Sequence, residues 1–205
     1  EARILEVETR GKAMLTHFDC DLTIYSHNQL YGVWRVVKGH KLPDSNRSMR
    51  LLLQTQTHSA ILYSASDISV WPTPELSEHP FLSRIGPDIM DPTLTWKDIA
   101  ARLVEQKFAG KTLAALYLDQ AFLAGNGNYL RSEIIHDARL HPRVRPSELT
   151  RGELGRLARS TLELSLNTLS FARIGAFAIA HAALTHTVVE LAAGAEVGRR
   201  DADAG

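Results

Sequence analysis

The apolar residues of this chain change their spacing once, and that change divides the sequence into two kinds of structure. Up to about Trp71 they alternate with polar residues in short runs rich in β-branched and aromatic side chains. Beyond about Thr95 they recur every three or four residues. A period of two is typical of half-buried strands, and a period near 3.6 of amphipathic helices. The sequence therefore predicts an α+β protein, with an antiparallel β-sandwich fragment followed by a helical domain.

Turn-forming residues separate the alternating runs, as antiparallel hairpins require. Lys38-Gly39-His40 and Pro43-Asp44-Ser45-Asn46 are two such turns. The strands are predicted at residues 13–18, 22–25, 33–37, 49–53 and 60–63.

A proline-punctuated stretch separates the two kinds of pattern. It begins at Trp71-Pro72-Thr73-Pro74 and reaches Asp91-Pro92. Proline lacks an N–H group and restricts the residue before it, so helices and strands are both disfavoured there. We therefore predict a truncated sandwich domain at residues 1–71, a linker at 72–93 and a helical domain at 94–165.

Capping residues mark the helices of the second domain. Thr95 is suited to cap a helix that runs to about Lys107. Thr150 and Glu153 have the spacing of a capping box, in which each side chain pairs with the other's backbone N–H, and that helix is predicted to reach about Leu164. Two further helices are predicted at residues 113–123 and 129–138.

A glycine-rich turn, Gly125-Asn126-Gly127-Asn128, joins those two helices. Glycine allows a sharp reversal, which leaves the N-terminal amides of the second helix pointing outward, where they can bind phosphate. The side chain of Asn128 and the N–H groups of Gly127 and Tyr129 are predicted to hold that phosphate. The alternative is that Asn128 is an ordinary helix cap.

Charge and cysteine content limit the kinds of site that the chain can form. The 23 Lys and Arg residues balance the 23 Asp and Glu residues, so nucleic-acid binding has to depend on local placement of charge. Cys20 is the only cysteine, which excludes an internal disulfide and any zinc site built from several thiolates, and it fits a reducing, cytoplasmic compartment. The nine histidines form no metal motif, so no metal site is predicted.

Three segments, in this order along the chain, resemble the endonuclease VIII branch of the formamidopyrimidine-DNA glycosylase family. They are residues 8–34, the pair His79-Pro80-Phe81-Leu82 and Gly86-Pro87-Asp88, and the run at 118–133 that contains the glycine-rich turn. The resemblance covers about residues 1–165. It implies a helix-two-turns-helix element and a monomeric base-excision-repair DNA glycosylase with abasic-site lyase activity. The implied partner is double-stranded DNA that contains oxidised pyrimidines or abasic sites.

The resemblance assigns roles to two further places in the first domain. Lys12 would approach the DNA backbone near the lesion and be needed for chemistry, although base rates alone favour a solvated surface lysine. Gln29, Leu30 and Tyr31 would fill the stack after a damaged base is flipped out. From spacing alone, an equally good interpretation is that Leu30 and Tyr31 cover the core.

The chain also departs from the family pattern. The family's N-terminal Pro-Glu supplies the catalytic amine and carboxylate, and its zinc ribbon needs four cysteines, whereas this chain begins at Glu1 and contains one cysteine. We therefore expect impaired or absent activity and no cofactor. The alternative is a DNA-binding module without catalysis.

The tail has a different character. Residues 166–190 resemble a membrane helix of the large proton-channel subunit of rotary vacuolar and archaeal-type ATPases, in which Arg173 and His181, about 2.2 turns apart, would be proton-path residues. The alternative is an amphipathic or buried helix that closes the helical domain. We predict an apolar helix of different origin at 166–192, a disordered tail at 193–205, and membrane contact only through residues 166–190. A chimeric fragment is thus a further functional alternative.

Overall fold

The computed structural model describes residues 2–172 and 188–189. These residues fall into two compact units, one containing residues 2–78 with 188–189 and the other residues 79–172. The first is built of two antiparallel sheets and the second of helices. The α+β class predicted from the change of period is confirmed.

The first unit contains eight strands in two sheets. The larger sheet has the order β7-β3-β2-β1-β8 and the smaller one the order β4-β6-β5. Every neighbouring pair is antiparallel. The strands are β1 Ala2–Arg10, β2 Ala13–Phe18, β3 Leu22–His27, β4 Val33–Lys38, β5 Met49–Gln54, β6 His58–Tyr63, β7 Asp67–Pro72 and β8 Val188–Val189.

All five predicted strands are present, and the structure adds β1 and β7 to the part of the chain that was expected to form the sandwich. The last residues of β7, Trp71 and Pro72, had been placed at the linker boundary. Pro72 pairs with Leu22 at the end of an outer strand, where a missing N–H group costs little. A 3₁₀ helix, Thr73–Glu78, follows.

One apolar core is shared by the two sheets, which makes the unit a β-sandwich. Full burial of a large aliphatic or aromatic side chain stabilises a fold by about 1.5–3 kcal/mol. The larger sheet contributes Ile4, Val7, Met14, Phe18 and Ile24, and the smaller one Trp34, Leu53, Ala60 and Leu62.

The second unit is a cluster of five helices around a separate core. Two of them, α2 and α3, are single turns, and α1 and α4 pack against the long helix α5. The helices are α1 Trp96–Leu103, α2 Gln106–Ala109, α3 Leu113–Leu116, α4 Asn128–Asp137 and α5 Arg151–Ala172, and a 3₁₀ turn, Pro146–Glu148, precedes α5.

The predicted caps are confirmed. Thr95 Oγ1 accepts from Asp98 N at 3.3 Å, and the Asp98 carboxylate accepts from Thr95 N at 2.9 Å. Thr150 and Glu153 make the same reciprocal pair, with Thr150 N donating to Glu153 Oε2 at 2.8 Å. Such caps are worth about 1 kcal/mol each. The first helix ends at Leu103, however, earlier than the expected Lys107.

The prediction of a helix at residues 113–123 is wrong. Only Leu113–Leu116 is helical, and the chain then turns irregularly until α4 begins. The Arg102 guanidinium accounts for part of the difference, because its Nε donates to the carbonyl of Phe122 at 2.9 Å and its Nη2 to that of Ala121 at 2.8 Å. Phe122 and Leu123 are fully buried, so the apolar spacing in this segment reflects burial and not helicity.

The prediction that the last helix ends near Leu164 is also wrong. Helix α5 continues to Ala172, so residues 166–172 extend the helical unit. Val188–Val189, placed in an apolar helix by the sequence analysis, is a short strand paired with β1. Among the described residues, no helix is long and apolar enough to cross a membrane. Arg173, His181 and residues 193–205 lie outside the described residues.

About two thirds of the predicted linker, residues 79–93, belongs to the helical unit. Gly86 N donates to Gln120 O at 2.8 Å, and Asp88 forms a parallel bridge with Ala124. A Cβ atom at Gly86 would lie 2.5 Å from Ala121 O, so only glycine fits this approach without a shift of backbone. The segment therefore supports the irregular turn that precedes α4.

Candidate functional site

Lys12 lies in the two-residue turn between β1 and β2. The turn forms because Gly11 adopts φ +61°, a left-handed conformation that glycine accepts readily. The side chain of Lys12 is exposed at its end but borders a cavity, and partial burial lowers the pKa of its amine. A lysine in this state gives up its proton more easily than a fully solvated one.

The cavity beside Lys12 has a volume of about 370 Å³, and its lining combines polar side chains with apolar surface such as that of Met14. Within the described part of the chain, Ser26 Oγ and Trp34 Nε1 are buried and have no hydrogen-bond partner. Unpaired buried polar atoms cost free energy, and these two belong to residues of the lining. The lining includes Thr9, Lys12, Ser26, His27, Gln29 and Trp34, which brings two separately predicted site residues, Lys12 and Gln29, to one place.

Residues 29–31, here called the wedge loop, follow β3. The side chains of Leu30 and Tyr31 are 81% and 70% exposed. The interpretation that they cover the core is therefore wrong. Polar contacts hold the loop: Ser66 Oγ donates to Gln29 Oε1, and Arg47 Nη1 donates to Tyr31 O, both at 2.9 Å. The loop thus presents two large apolar side chains on a braced backbone.

The glycine-rich turn is held from inside by Asn126. This side chain is fully buried, its Nδ2 donates to Tyr117 O at 2.7 Å, and its Oδ1 accepts from Gly127 N at 2.9 Å. The prediction that the Gly127 N–H binds phosphate is therefore corrected, because that donor is already paired. Gly125 adopts φ +92°, so the expected backbone reversal occurs there.

The N-terminus of α4 begins immediately after the buried turn. Gly127 is the cap residue and Asn128 the first helical residue, so the interpretation of Asn128 as the cap is wrong. Arg131 N donates to Gly127 O at 2.9 Å, and the amides of the three residues before it precede the helical ladder. Asn128 is exposed and Tyr129 is 90% exposed. This helix end is open to an anion.

Two polar side chains outside the predicted site, Gln120 and Asp119, shape the turn. Gln120 accepts from Gly125 N at 3.0 Å and donates to Asn126 O at 3.1 Å. Asp119 accepts from Ala121 N at 2.9 Å and pairs with Lys111. Partial burial raises the pKa of Asp119, but the bonds from Lys111 and Ala121 outweigh it and leave that pKa lowered. The signal for Gln120 was a polar residue inside an apolar run.

A second cavity, of about 440 Å³, lies in the helical unit and carries excess positive charge. Phe108 lies beneath it, with Lys107 Nζ 4.8 Å and Arg102 Cζ 5.2 Å from its ring centroid. Glu105 and Asp119 offset part of the charge. The cations along its lining are Arg84, Arg102, Lys107 and Lys111. The neutral composition therefore conceals a local basic patch.

Metal ligands do not cluster in the described residues. No group of three His, Cys, Asp or Glu side chains there is arranged to hold a metal ion.

Comparison with known proteins places these features in context, although no family model matches the chain. Endonuclease 8 of Klebsiella pneumoniae subsp. pneumoniae is 49% identical over 162 residues, which is 79% of this chain and 62% of the relative. Endonuclease 8 of Escherichia coli is 50% identical over 161 residues, or 78% of this chain and 61% of the relative. The chain is similar to endonuclease 8. It spans about three fifths of the length of these relatives.

Solved structures give the same result for the fold. The Lactococcus lactis formamidopyrimidine-DNA glycosylase bound non-covalently to DNA with an abasic site has a TM-score of 0.72 at 20% identity, and the match covers 83% of this chain and 65% of that one. A second complex of the Lactococcus lactis enzyme with abasic-site DNA has a TM-score of 0.71. These comparisons show similarity to endonuclease 8 in sequence and to the Lactococcus lactis enzyme in fold, and they lend no support to the proton-ATPase resemblance of residues 166–190.

Proposed function

We propose that this chain belongs to a base-excision-repair DNA glycosylase and abasic-site lyase of the endonuclease 8 type. The observation that carries the proposal is that Lys12 and Gln29, the first residue of the wedge loop, line one cavity. Identity of about half over four fifths of the chain to endonuclease 8 supports it. The proposed partner is double-stranded DNA with an oxidised pyrimidine or an abasic site.

The wedge loop suits a mechanism that works on a base outside the stack. Extrusion of a nucleotide costs a few kcal/mol in lost stacking and pairing. Leu30 and Tyr31 are large, apolar and exposed, so their insertion into the gap would recover stacking contacts and remove apolar surface from water. Lys12, whose amine borders the adjoining cavity, would then approach the sugar-phosphate backbone of the extruded nucleotide.

The start of α4 would hold a phosphate of duplex DNA. We propose that the segment from α3 to α4 serves as a helix-two-turns-helix element, with the first amides of α4 and the Asn128 side chain as donors. The cations of the second cavity would add sequence-independent attraction to the backbone. Lack of net charge does not oppose this binding, because the positive charge is local.

Base removal and strand cleavage in this proposal pass through a Schiff base, which makes elimination at the abasic sugar accessible. In the family, the attacking amine belongs to an N-terminal proline, and the first residue of the chain described here is Glu1. The residues of this chain would bind the duplex, keep the nucleotide extruded and place the Lys12 cation beside it. The complete reaction is thus assigned to the whole protein.

Binding to a labelled duplex by fluorescence anisotropy tests the proposal. We expect the chain to prefer a duplex with an abasic-site analogue over an intact one, and its affinity to fall as salt rises because phosphate contacts release counterions. Asn128→Ala should weaken binding about fivefold, the loss of one hydrogen bond of about 1 kcal/mol. Asn46→Ala, at an exposed asparagine elsewhere, is the control. Equal affinity for both duplexes, without salt dependence, would refute the proposal.

Borohydride trapping on abasic-site DNA separates the enzyme from a binding module. For the chain that begins at Glu1, we expect binding without a trapped adduct, and for a polypeptide that carries the family's N-terminal proline we expect the adduct. Binding without an adduct from both would favour the non-catalytic alternative. A covalent adduct from the chain itself would show that the proline amine is dispensable.

A further inference from the structure

The wedge loop begins in a conformation that needs an external constraint. Gln29 adopts φ +50°, which is unfavourable for a residue with a side chain. The constraint is local, because Gln29 N donates to His27 Nδ1 at 3.1 Å. Gly32 N then donates to Asn28 O at 2.8 Å and closes the turn. A Cβ atom at Gly32 would lie 2.5 Å from that oxygen, so only glycine fits this position without a shift of backbone.

The bond between Gln29 and His27 fixes the chemical state of the imidazole. A backbone amide can only donate, so Nδ1 has to carry a lone pair. Neutral histidine offers that acceptor when its proton is on Nε2, whereas both ring nitrogens of the imidazolium are donors. Protonation of His27 therefore removes the bond that holds Gln29 N.

We propose that His27 is a positioning residue for the wedge loop: its neutral ring holds the loop ready for insertion into DNA, and its protonation releases the first residue of the loop. This inference rests on the proposed function for its DNA-binding part, while the contact itself belongs to the free protein. His27 acts through Gln29 and not on the substrate.

The groups that face His27 determine when it is protonated. His27 pairs with Asp67 on the neighbouring strand β7, and the Asp67 carboxylate favours the imidazolium. The Tyr25 hydroxyl donates to the same carboxylate at 3.3 Å. On β2 the partner is Ala13, which does not titrate. Burial has the largest effect on the pKa of His27 and lowers it. The Asp67 carboxylate raises this pKa and the Lys12 cation lowers it, and the sum of the three effects is a lowered pKa. The neutral ring therefore prevails at neutral pH.

The other two braces of the loop do not change over the same pH range. Ser66 Oγ donates to Gln29 Oε1, and the guanidinium of Arg47 donates to Tyr31 O. Neither a hydroxyl nor an arginine titrates between pH 5 and 8. Acidification should therefore loosen the Gln29 backbone while the Tyr31 end stays attached, and the loop should lose its fixed shape without unfolding of the sandwich.

His27→Asn is the informative variant. An asparagine side-chain oxygen accepts from the N–H two residues later, as His27 Nδ1 does, but it does not titrate. His27→Ala removes the acceptor altogether. The matched control is His141→Asn, because His141 Nδ1 accepts from Arg143 N at 3.3 Å in the same local pattern, on an exposed part of the helical unit.

The first measurement is made without DNA: hydrogen exchange of the Gln29 amide, corrected for its intrinsic pH dependence, between pH 5 and 8. Protection in the unchanged chain should fall at least about tenfold on acidification, with the midpoint of the His27 ring titration. It should stay high in His27→Asn, be low at all pH values in His27→Ala, and follow the unchanged chain in His141→Asn. The proposal would be overturned if the protection of the Gln29 amide did not depend on pH in the unchanged chain, or if it fell equally in His27→Asn.

The second measurement is affinity for the abasic-site duplex over the same pH range. The preference for that duplex over an intact one should decline at acidic pH in the unchanged chain and in His141→Asn, and remain constant in His27→Asn. A decline that is the same in His27→Asn would overturn the role of His27 at DNA. Failure of every protein to prefer damaged DNA at any pH would instead overturn the proposed function, and the exchange measurement would still decide whether His27 holds the loop.

Discussion

The wedge loop and the glycine-rich turn are held in opposite ways. The wedge loop exposes its side chains, Leu30 and Tyr31, and is braced at its backbone by polar groups from outside. The glycine-rich turn buries its central side chain, Asn126, which binds the backbone on both sides of it from within. One region presents side chains on a fixed backbone, and the other presents backbone amides on a fixed side chain.

The difference shows what each kind of contact requires. Apolar side chains that are to enter a base stack have to be exposed before binding, and a few surface hydrogen bonds are enough to limit their motion. Helix amides that are to meet a phosphate need a precise backbone direction, which here depends on a buried amide and on Gln120. Substitutions in the turn should therefore affect folding, and those in the loop should affect recognition.

Asn126→Ala should have the largest effect. It leaves the buried carbonyl of Tyr117 without its partner, at about 1–3 kcal/mol, and the partly buried amide of Gly127 without its partner at a smaller cost. We expect the free energy of unfolding in urea to fall by about 2–4 kcal/mol. Asn128→Ala, two residues later and exposed, should change it by less than about 0.5 kcal/mol. Similar losses for both variants would contradict the contrast between a buried turn and its open helix end.

A pair of glycines gives the next test. A Cβ atom at Gly86 would lie 2.5 Å from Ala121 O and 2.6 Å from Phe122 O, inside the helical unit. Gly86→Ala should cost about 1–3 kcal/mol of stability, because packed backbone has to move. Gly32→Ala meets Asn28 O at 2.5 Å, but in an exposed loop that can adjust. The free energy of unfolding of Gly32→Ala should fall by less than about 1 kcal/mol, and the preference of this variant for damaged DNA should be weaker.

Part of this structure could be predicted from local sequence signals. Five of the strands and both caps were predictable, because alternation and cap chemistry are local signals. The irregular segment before α4 was not, because Arg102 reaches its carbonyls from about 20 positions away. Asn126 and Asn128 look alike in sequence, and only the fold decides which one is buried. The wedge loop was undecided for the same reason, since exposure of Leu30 depends on the whole sandwich.

Leu30→Ala should separate recognition from stability. Leu30 is 81% exposed, so the substitution should change the free energy of unfolding, measured by thermal denaturation, by less than about 0.5 kcal/mol. The preference for abasic-site DNA should fall about tenfold, because part of the lost stacking is no longer replaced. Leu118→Ala, at an apolar residue that is partly exposed in the helical unit, provides the comparison. A large loss of stability in Leu30→Ala would mean that the loop helps to cover the core.

The smallest expected effect concerns the acid stability of the turn. The pKa of Asp119 is lowered, so its contribution to stability is complete above the ordinary aspartate value of about 3.9 and is lost as pH falls through the lower folded value. Asp119→Asn keeps an oxygen for Ala121 N but loses the charge that faces Lys111. We expect a loss of about 0.5–1 kcal/mol at pH 6, since the pair is partly exposed. Urea unfolding should show this difference shrinking between pH 4 and 2, and a difference that grows there would contradict the assignment.

Helix α5 passes residue 165 without interruption, and this has a geometric consequence for whatever the chain carries there. Each helical residue turns the backbone by about 100° and advances it 1.5 Å. Deleting a single residue between Arg151 and Ser165 would therefore rotate every later residue of the helix by about 100° around the helix axis. The angular positions of residues 166–172 around the helix axis are therefore set by the part of helix α5 that precedes them.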